Sequence, residues 1–344
     1  MFDPNRQNNF DLLRFVAATL VLVDHTYALT RRPAPPSPFS YETLGSFALA
    51  IFFIISGFLV ASSWERTPRL RTYGRKRALR IVPAYAAVVT VCALVLGPAF
   101  TELSLADYFR NGQTWTYFRN LMFVQVHYEL PGVFTTNPFP YAVNGSIWTL
   151  PIEVAMYVVV AALGCCRMLT RVGISIVVAG LGIGWFVWGP QLWAARPLFA
   201  AALPTGYTVH LALWFFTGSA YWIWRDRIRY RADIAAALFA LCWVLQATTM
   251  GALALHVALP YFVVWIAQLD ARWMSRFGTH GDFSYGMYLW AFPVQQALAH
   301  SVGAAWPVSA YMLVCFAVTL ACAAVSWHAV EHPALRRKGV RAVG

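Results

Sequence analysis

Ten stretches of this chain are each long and apolar enough to cross a bilayer, and no other feature narrows its fold so far. They fall near 12–29, 47–63, 82–99, 147–166, 172–189, 208–224, 233–250, 252–269, 284–301 and 307–329. A helix needs about 17–25 such residues to span the hydrocarbon core. The seventh and eighth stretches are separated by almost nothing, and a further apolar run at 118–128 is too short to cross, so it reads as re-entrant or interfacial. The chain is 59% hydrophobic and 12% charged, against roughly 45–50% and about 25% in soluble domains. The expected fold is therefore an all-α, polytopic integral membrane helical bundle of about ten transmembrane helices. It forms a single membrane-embedded domain over 1–344, with outer loops at 30–46 and 100–146 and no separate soluble domain. The first apolar stretch lacks a basic leader and a small-residue cleavage site, so it reads as a retained anchor.

Charge orients the bundle. With the N-terminus inside, 21 of the 26 Lys and Arg residues fall on inner segments and five (Arg31, Arg32, Arg110, Arg119, Arg196) on outer ones. Positive charge gathers on the cytoplasmic side of membrane proteins, so both termini are expected inside. A net charge of +12 would suggest nucleic acid in a soluble protein; here it is mostly an inner-face feature, and no nucleic-acid partner is expected. The six cysteines all lie in apolar stretches without zinc or disulfide spacing and read as small packing residues.

Charges within spans are costly, by at least ~2.5–3.5 kcal/mol at a helix centre, and so point to function. The first span, "RFVAATLVLVDHTYAL", holds Arg14, Asp24 and His25. Eleven residues are three helical turns plus about 20°, which puts Arg14 and His25 on one face, about 16 Å apart. Asp24 is rotated by about 100° from His25 and points elsewhere. In "VNGSIWTLPIEVAMY", Glu153 reaches a depth of roughly 9 Å below the outer surface, and His25 a depth of roughly 10 Å. A buried His with an acidic neighbour suits a general base; a polar contact that merely fixes helix packing is the alternative.

The inner side offers a second candidate site. "RTYGRKRALRIVPAY" carries Arg77 and Arg80 at i and i+3, so two forked guanidiniums share a helix face, a geometry suited to phosphate or pyrophosphate. Plain inside-positive topology or contact with anionic lipid heads is the alternative. "FFIISGFLV" places Ser56 and Gly57 mid-span, where small residues let helices approach closely. "GDFSYGMYLWAFP" opens the ninth span with Asp282 and Ser284, an N-cap pattern. "SWHAVEHP" holds His328, Glu331 and His332 without a third ligand in register, so no metal site is expected. His127, His210, His256, His280 and His300 read as interfacial or packing residues.

Taken together, these residues resemble the membrane acyltransferase family 3, whose members move acyl groups, commonly acetyl, onto extracytoplasmic sugars. The resemblance runs from Asp11 to about Pro333. "FDLLRFVAATLVLVDH" is similar to the family's opening motif, an Arg followed by a His, and "FFIISGFLV" to its second-span motif. "RALRIVPAY" is similar to its Arg-x-x-Arg stretch, "NGSIWTLPIEVAMY" to the motif carrying its acidic residue, and "FSYGMYLWAFP" to its late span. The chain departs from many members in offering Ala291 or Phe292 where they have His. Some relatives carry a fused esterase-like domain; this chain is similar to the stand-alone members, which modify lipopolysaccharide O-antigen, exopolysaccharide or related glycans.

The resemblance implies an O-acetyltransferase of the bacterial inner membrane that takes acetyl-CoA as donor and a glycan or lipid-linked glycan as acceptor. Membrane lipids and envelope glycan-assembly proteins are its further expected partners. It implies His25, Glu153 and Arg14 as catalytic residues and Arg77, Arg80 and Ser284 as cofactor-binding ones. Arg77 and Arg80 would hold the CoA phosphates, and the pantetheine arm would thread along the Arg14–His25 stripe. His25 would deprotonate the acceptor hydroxyl or receive the acyl group transiently, with Glu153 orienting the imidazole. A transporter of a glycan precursor or acyl donor fits buried charges and ten spans equally well, and a structural subunit of envelope assembly is the third reading.

Overall fold

The computed structural model describes residues 9–39, 42–194, 205–248, 250–271, 274, 276–302 and 305–336. Each of the ten apolar stretches is a helix, and among the described residues there is no strand, only two isolated bridges in one loop. In chain order, α1 is Phe10–Leu29, α2 Leu44–Arg66 and α3 Leu70–Val91, which runs on through a π turn to Phe100. Two short helices follow, α4 at Leu105–Arg110 and α5 at Gly112–Thr116. Then come α6 (Thr149–Cys165), α7 (Arg171–Ala194), α8 (Thr205–Ile223), α9 (Ala232–Leu245), α10 (Met250–Ala267), α11 (Ser284–Val302) and α12 (Val308–Ser326). Among the described residues seven helical runs are long and apolar enough to span a membrane; α9 is apolar but has only 14 residues. The fold is an all-α polytopic membrane protein.

Helix α3 begins at Leu70, well before its apolar window, because the basic run Arg71–Arg80 is itself helical. Tyr73 and Ile81 are buried on its inward face, which holds the stretch in place despite its charge. The short run at 118–128 does not cross: it is a 3-10 turn, Tyr117–Met122, that ends at Phe123 in the left-handed region. Arg6, Arg196, Arg272, Arg337, Lys338 and Arg341 lie outside the described residues.

Helix α2 is central and α7 peripheral: 61% of the α2 window is buried, against 17% of the α7 window. Exposed Val172, Ile176, Ile183 and Val187 give α7 an apolar outer face suited to lipid. Two glycines lock α2 to α8. A Cβ at Gly57 would overlap the Phe215 carbonyl, and one at Gly218 would overlap the Ile54 carbonyl. Ser219 Oγ closes the crossing by donating to the Gly57 carbonyl at 3.0 Å. This is the small-residue packing that lets helix backbones meet in lipid. Cys92, Cys242 and Cys315 are buried between helices as expected, whereas Cys165 and Cys166, at the end of α6, are exposed.

The loop 101–145 folds over one end of the bundle and is pinned to α11. Asn137 Nδ2 donates to the Gln296 side chain at 2.8 Å, Asn144 Nδ2 to the Leu289 carbonyl at 3.1 Å, and Gln296 Nε2 to the Ala142 carbonyl at 2.6 Å. Tyr108, Tyr117 and Phe134 give it a small core of its own.

Candidate active site

One cavity opens among the arginines and another at the opposite end of α1. The basic-end cavity, of about 90 Å³, collects five of the six residues singled out from the sequence: Arg14, Arg77, Arg80, Glu153 and Ser284. Helix α1 supplies Arg14, α3 the pair Arg77 and Arg80 one turn apart, α6 Glu153 and α11 Ser284. The arginines are not equivalent. Arg80 donates to Asp282 Oδ2 at 2.5 Å, Arg14 lies 3.1 Å from the same oxygen, and Arg14 also pairs with Asp11 on its own helix. Asp282 Oδ1 accepts from the backbone and hydroxyl of Ser284, so the residue that caps α11 also bridges two guanidiniums. Burial alone would raise the Asp282 carboxyl, but Arg14 and Arg80 beside it hold it below the usual carboxylate range. Arg77 lies 5.7 Å over the Tyr157 ring, and among the described residues no carboxylate pairs with it. Its Nε is buried without a hydrogen-bond partner.

Glu153 belongs to this cavity and is not paired with His25. Its Oε1 accepts from Ser56 Oγ at 2.8 Å and from Tyr157 Oη at 2.6 Å. Counting turns gives depth but not azimuth: Glu153 lines the arginine cavity and His25 the other one. Ser56 thus serves the site, while its neighbour Gly57 serves the helix crossing.

The second cavity, of about 160 Å³, holds His25 with Asp24, Thr43, Ser46, Trp148, Tyr207 and His210. Leu49 and Tyr288 line both cavities and form the wall between them. The Tyr288 hydroxyl is held in place, 2.6 Å from Thr149 Oγ1 and donating to the Ser146 carbonyl at 2.5 Å. The His25 ring meets Phe292 edge-on, centroids 5.2 Å apart, and its Nδ1 is buried with no hydrogen-bond partner. Phe292 is fixed in turn by Gly145, where a Cβ would overlap its ring. Position 292 therefore packs against the imidazole instead of offering a second one.

Asp24 also lines this cavity, but its carboxylate accepts a hydrogen bond from the backbone of Gly45, in the first turn of α2. A side chain at Gly45 would come within 2.6 Å of that carboxylate. Asp24 thus satisfies an orphan N–H of α2 and meets the positive end of its dipole. This is a helix cap supplied from a neighbouring helix, and it ties α1 to α2 beside His25.

Four features escaped sequence reading. Asp282 reads as an N-cap, and its second role needs Arg14 and Arg80 brought to it from far along the chain. His210 reads as packing, yet it lines the His25 cavity with its Nε2 3.4 Å from Glu42 Oε1. Burial pushes the Glu42 carboxyl up to about 7, with a hydrogen bond from Ser46 working the other way. Leu49 and Tyr288 carry no signal at all. His256 is a packing residue, stacked on Trp214 with centroids 3.8 Å apart; the side chain of His280 lies outside the described ones. Glu331 accepts from Ser326 at 3.0 Å and His332 stacks on Trp327. Among the described residues no group of three or more His, Cys, Asp or Glu is placed to hold a metal ion.

A family described as an acyltransferase domain matches residues 7–327, nearly the whole chain and every residue of both cavities. The chain belongs to this acyltransferase family. It is 28% identical to an "O-acetyl transferase" of Shigella phage Sf6 over 97% of both chains. It is 27% identical to "Nodulation protein 10" of Rhizobium leguminosarum bv. viciae, over 96% of this chain and 94% of the relative. No solved structure matches it. An acyltransferase needs a place for an activated donor and a base beside an acceptor hydroxyl. This one has an arginine cavity and an imidazole cavity with a two-residue wall between them.

Proposed function

We propose that this acyltransferase is an O-acetyltransferase of the bacterial inner membrane. It takes acetyl-CoA at its basic, cytoplasmic end and acylates a hydroxyl of an extracytoplasmic glycan or lipid-linked glycan at the other. The observation that carries this reading is the pair of cavities meeting at Leu49 and Tyr288, with the unpaired Arg77 in one and His25 in the other. Arg77, supported by Arg80 and Arg14, holds CoA phosphates by forked, charge-assisted hydrogen bonds. A cavity of about 90 Å³ admits a slender chain rather than a nucleotide, so the adenine end stays at the mouth while the pantetheine arm points inward. Eleven residues of uninterrupted α1 separate Arg14 from His25, about 16 Å along the axis, and the thioester must pass the Leu49–Tyr288 wall to reach the imidazole.

There His25 takes the proton of the acceptor hydroxyl as its oxygen attacks the thioester carbonyl. The tetrahedral adduct collapses by breaking the carbon–sulfur bond, and the imidazolium returns its proton to the departing thiolate. Glu153 stays on the donor side, held by Ser56 and Tyr157, where its charge fixes the arginine-lined path. The relative named an O-acetyl transferase supports acetyl as the group moved. Mass spectrometry of surface glycans from cells carrying the wild-type chain or His25→Ala tests the reading. An acetyl-sized mass on one sugar should vanish with the imidazole, falling by about 10²–10⁴ in rate as loss of a general base requires. An unchanged acetyl signal from a folded His25→Ala chain sinks it.

A further inference from the structure

His210 lines the cavity around His25, and Glu42, next to the lining residue Thr43, stands beside it; the transfer chemistry uses neither. His210, on α8, places its Nε2 3.4 Å from Glu42 Oε1, and each side chain is only 10% exposed. The same Nε2 accepts from Trp214 Nε1 at 3.2 Å, and the Trp185 ring stacks on the imidazole with centroids 4.1 Å apart and planes 4° from parallel. The ring is therefore clamped in one orientation. One nitrogen lies between two neighbours, and while it accepts from the indole it cannot also donate to the carboxylate. Beyond the hydrogen bond it accepts from Ser46, the Glu42 carboxylate keeps further acceptor positions open beside the cavity.

One part of the wall is aromatic. Tyr207 lies one turn before His210 on the same face of α8 and meets Trp148 edge-on, centroids 5.2 Å apart; both rings line the cavity. Flat rings beside a fixed donor–acceptor pair match one chemical class well. A pyranose presents an apolar C–H face to an aromatic ring and vicinal hydroxyls, each both donor and acceptor, at its rim. The cavity, of about 160 Å³, has room for several waters, the space that a small polar ligand would take.

We propose that Glu42 and His210 form the anchor for the acceptor sugar: they bind hydroxyls next to the one that is acylated, against the Trp148–Tyr207 wall, and so set which hydroxyl faces His25. This rests on the reading of the His25 cavity as the acceptor side. Glu42 and His210 are positioning residues, and specificity follows because a site built to hydrogen-bond a hydroxyl strongly rejects a sugar that lacks it.

The test needs no acyl donor. The full chain in nanodiscs is titrated with methyl glycosides of glucose, galactose, mannose and rhamnose and with their monodeoxy analogues, following the fluorescence of the nearby tryptophans. At least one glycoside should bind saturably, and Glu42→Gln and His210→Asn should each weaken it by about tenfold, the worth of one buried hydrogen bond. The deoxy analogue lacking the contacted hydroxyl should lose the same factor in wild type and nothing further in the variants, the signature of one shared contact. CoA affinity at the basic end reports that each variant is folded. Should His210→Asn fail that control, Glu42→Gln, which keeps side-chain volume, decides alone. Saturable binding of no glycoside, wild-type affinity in both variants, or a deoxy penalty that persists undiminished in them overturns the assignment. Any of these leaves His25-dependent transfer standing, whereas failure of transfer leaves the donor-free titration readable.

Discussion

The two cavities of this acyltransferase are built on opposite electrostatic plans. At the basic end charge is abundant and mostly spent: Arg14, Arg80, Asp11 and Asp282 neutralise one another in a network that joins α1, α3 and the cap of α11. Of the three arginines that line the cavity, Arg77 is the one with no carboxylate partner among the described residues. At the other end charge is sparse and polar atoms are unspent, with His25 Nδ1 lacking a partner and His210 Nε2 shared between two neighbours. Binding a polyanion calls for fixed cations at set spacings, and mutual pairing fixes them. Moving a proton calls for a base not already committed to a salt bridge. The molecule separates these needs along one helix instead of compromising them in one pocket.

The contrast can be broken from the basic end first, with the largest effect. Asp282→Asn leaves two buried guanidiniums facing each other without their shared counter-ion. It should lower stability by about 3–5 kcal/mol, as removal of one partner from a buried pair does, measured by denaturant unfolding in detergent. A small change would mean the network is not what joins the helices. Arg77 sharpens the same contrast. Arg77→Gln should weaken CoA binding by about tenfold or more, the scale of a charge-assisted contact, with the unfolding midpoint nearly unmoved. Arg80→Gln should move that midpoint, and equal responses of the two would erase the distinction between fixed and free arginines. The smallest effect is expected between the neighbours at the other end. Asp24→Ala removes a cap from α2 and should cost about 1 kcal/mol of stability, read by the same unfolding assay. If that variant kept full stability but lost transfer, Asp24 would belong with the chemistry beside His25.

The fold was largely legible because a bilayer imposes one rule, that backbone polar groups be satisfied within helices over a fixed thickness. That rule finds a helix at each of the ten apolar stretches, seven of which lie in runs long and apolar enough to span among the described residues, but it says nothing of charged helix, so the first turns of α3 went unread. The site was legible to the same degree. Arg14, His25 and Glu153 stand out because charge inside a span is expensive, and Arg77 and Arg80 because they repeat at helical spacing. Asp282 and Glu42 sit just outside spans, where a carboxylate costs nothing and raises no question. The pairing of Glu153 with His25 failed for a different reason: helical periodicity orders residues within one helix and is silent on what two helices turn toward each other.

One consequence follows from the wall made by Leu49 and Tyr288. Cavities toward the two ends of a membrane bundle share these two side chains as lining here. A file of water through that point would let protons run down their gradient every time the enzyme stood idle. Leu49 offers no proton site, and the Tyr288 hydroxyl is already engaged with Thr149 and Ser146, so the resting protein is an insulator. Under the transfer proposed above, the donor arm itself would fill the gap whenever that insulation is breached, which would make the substrate its own seal.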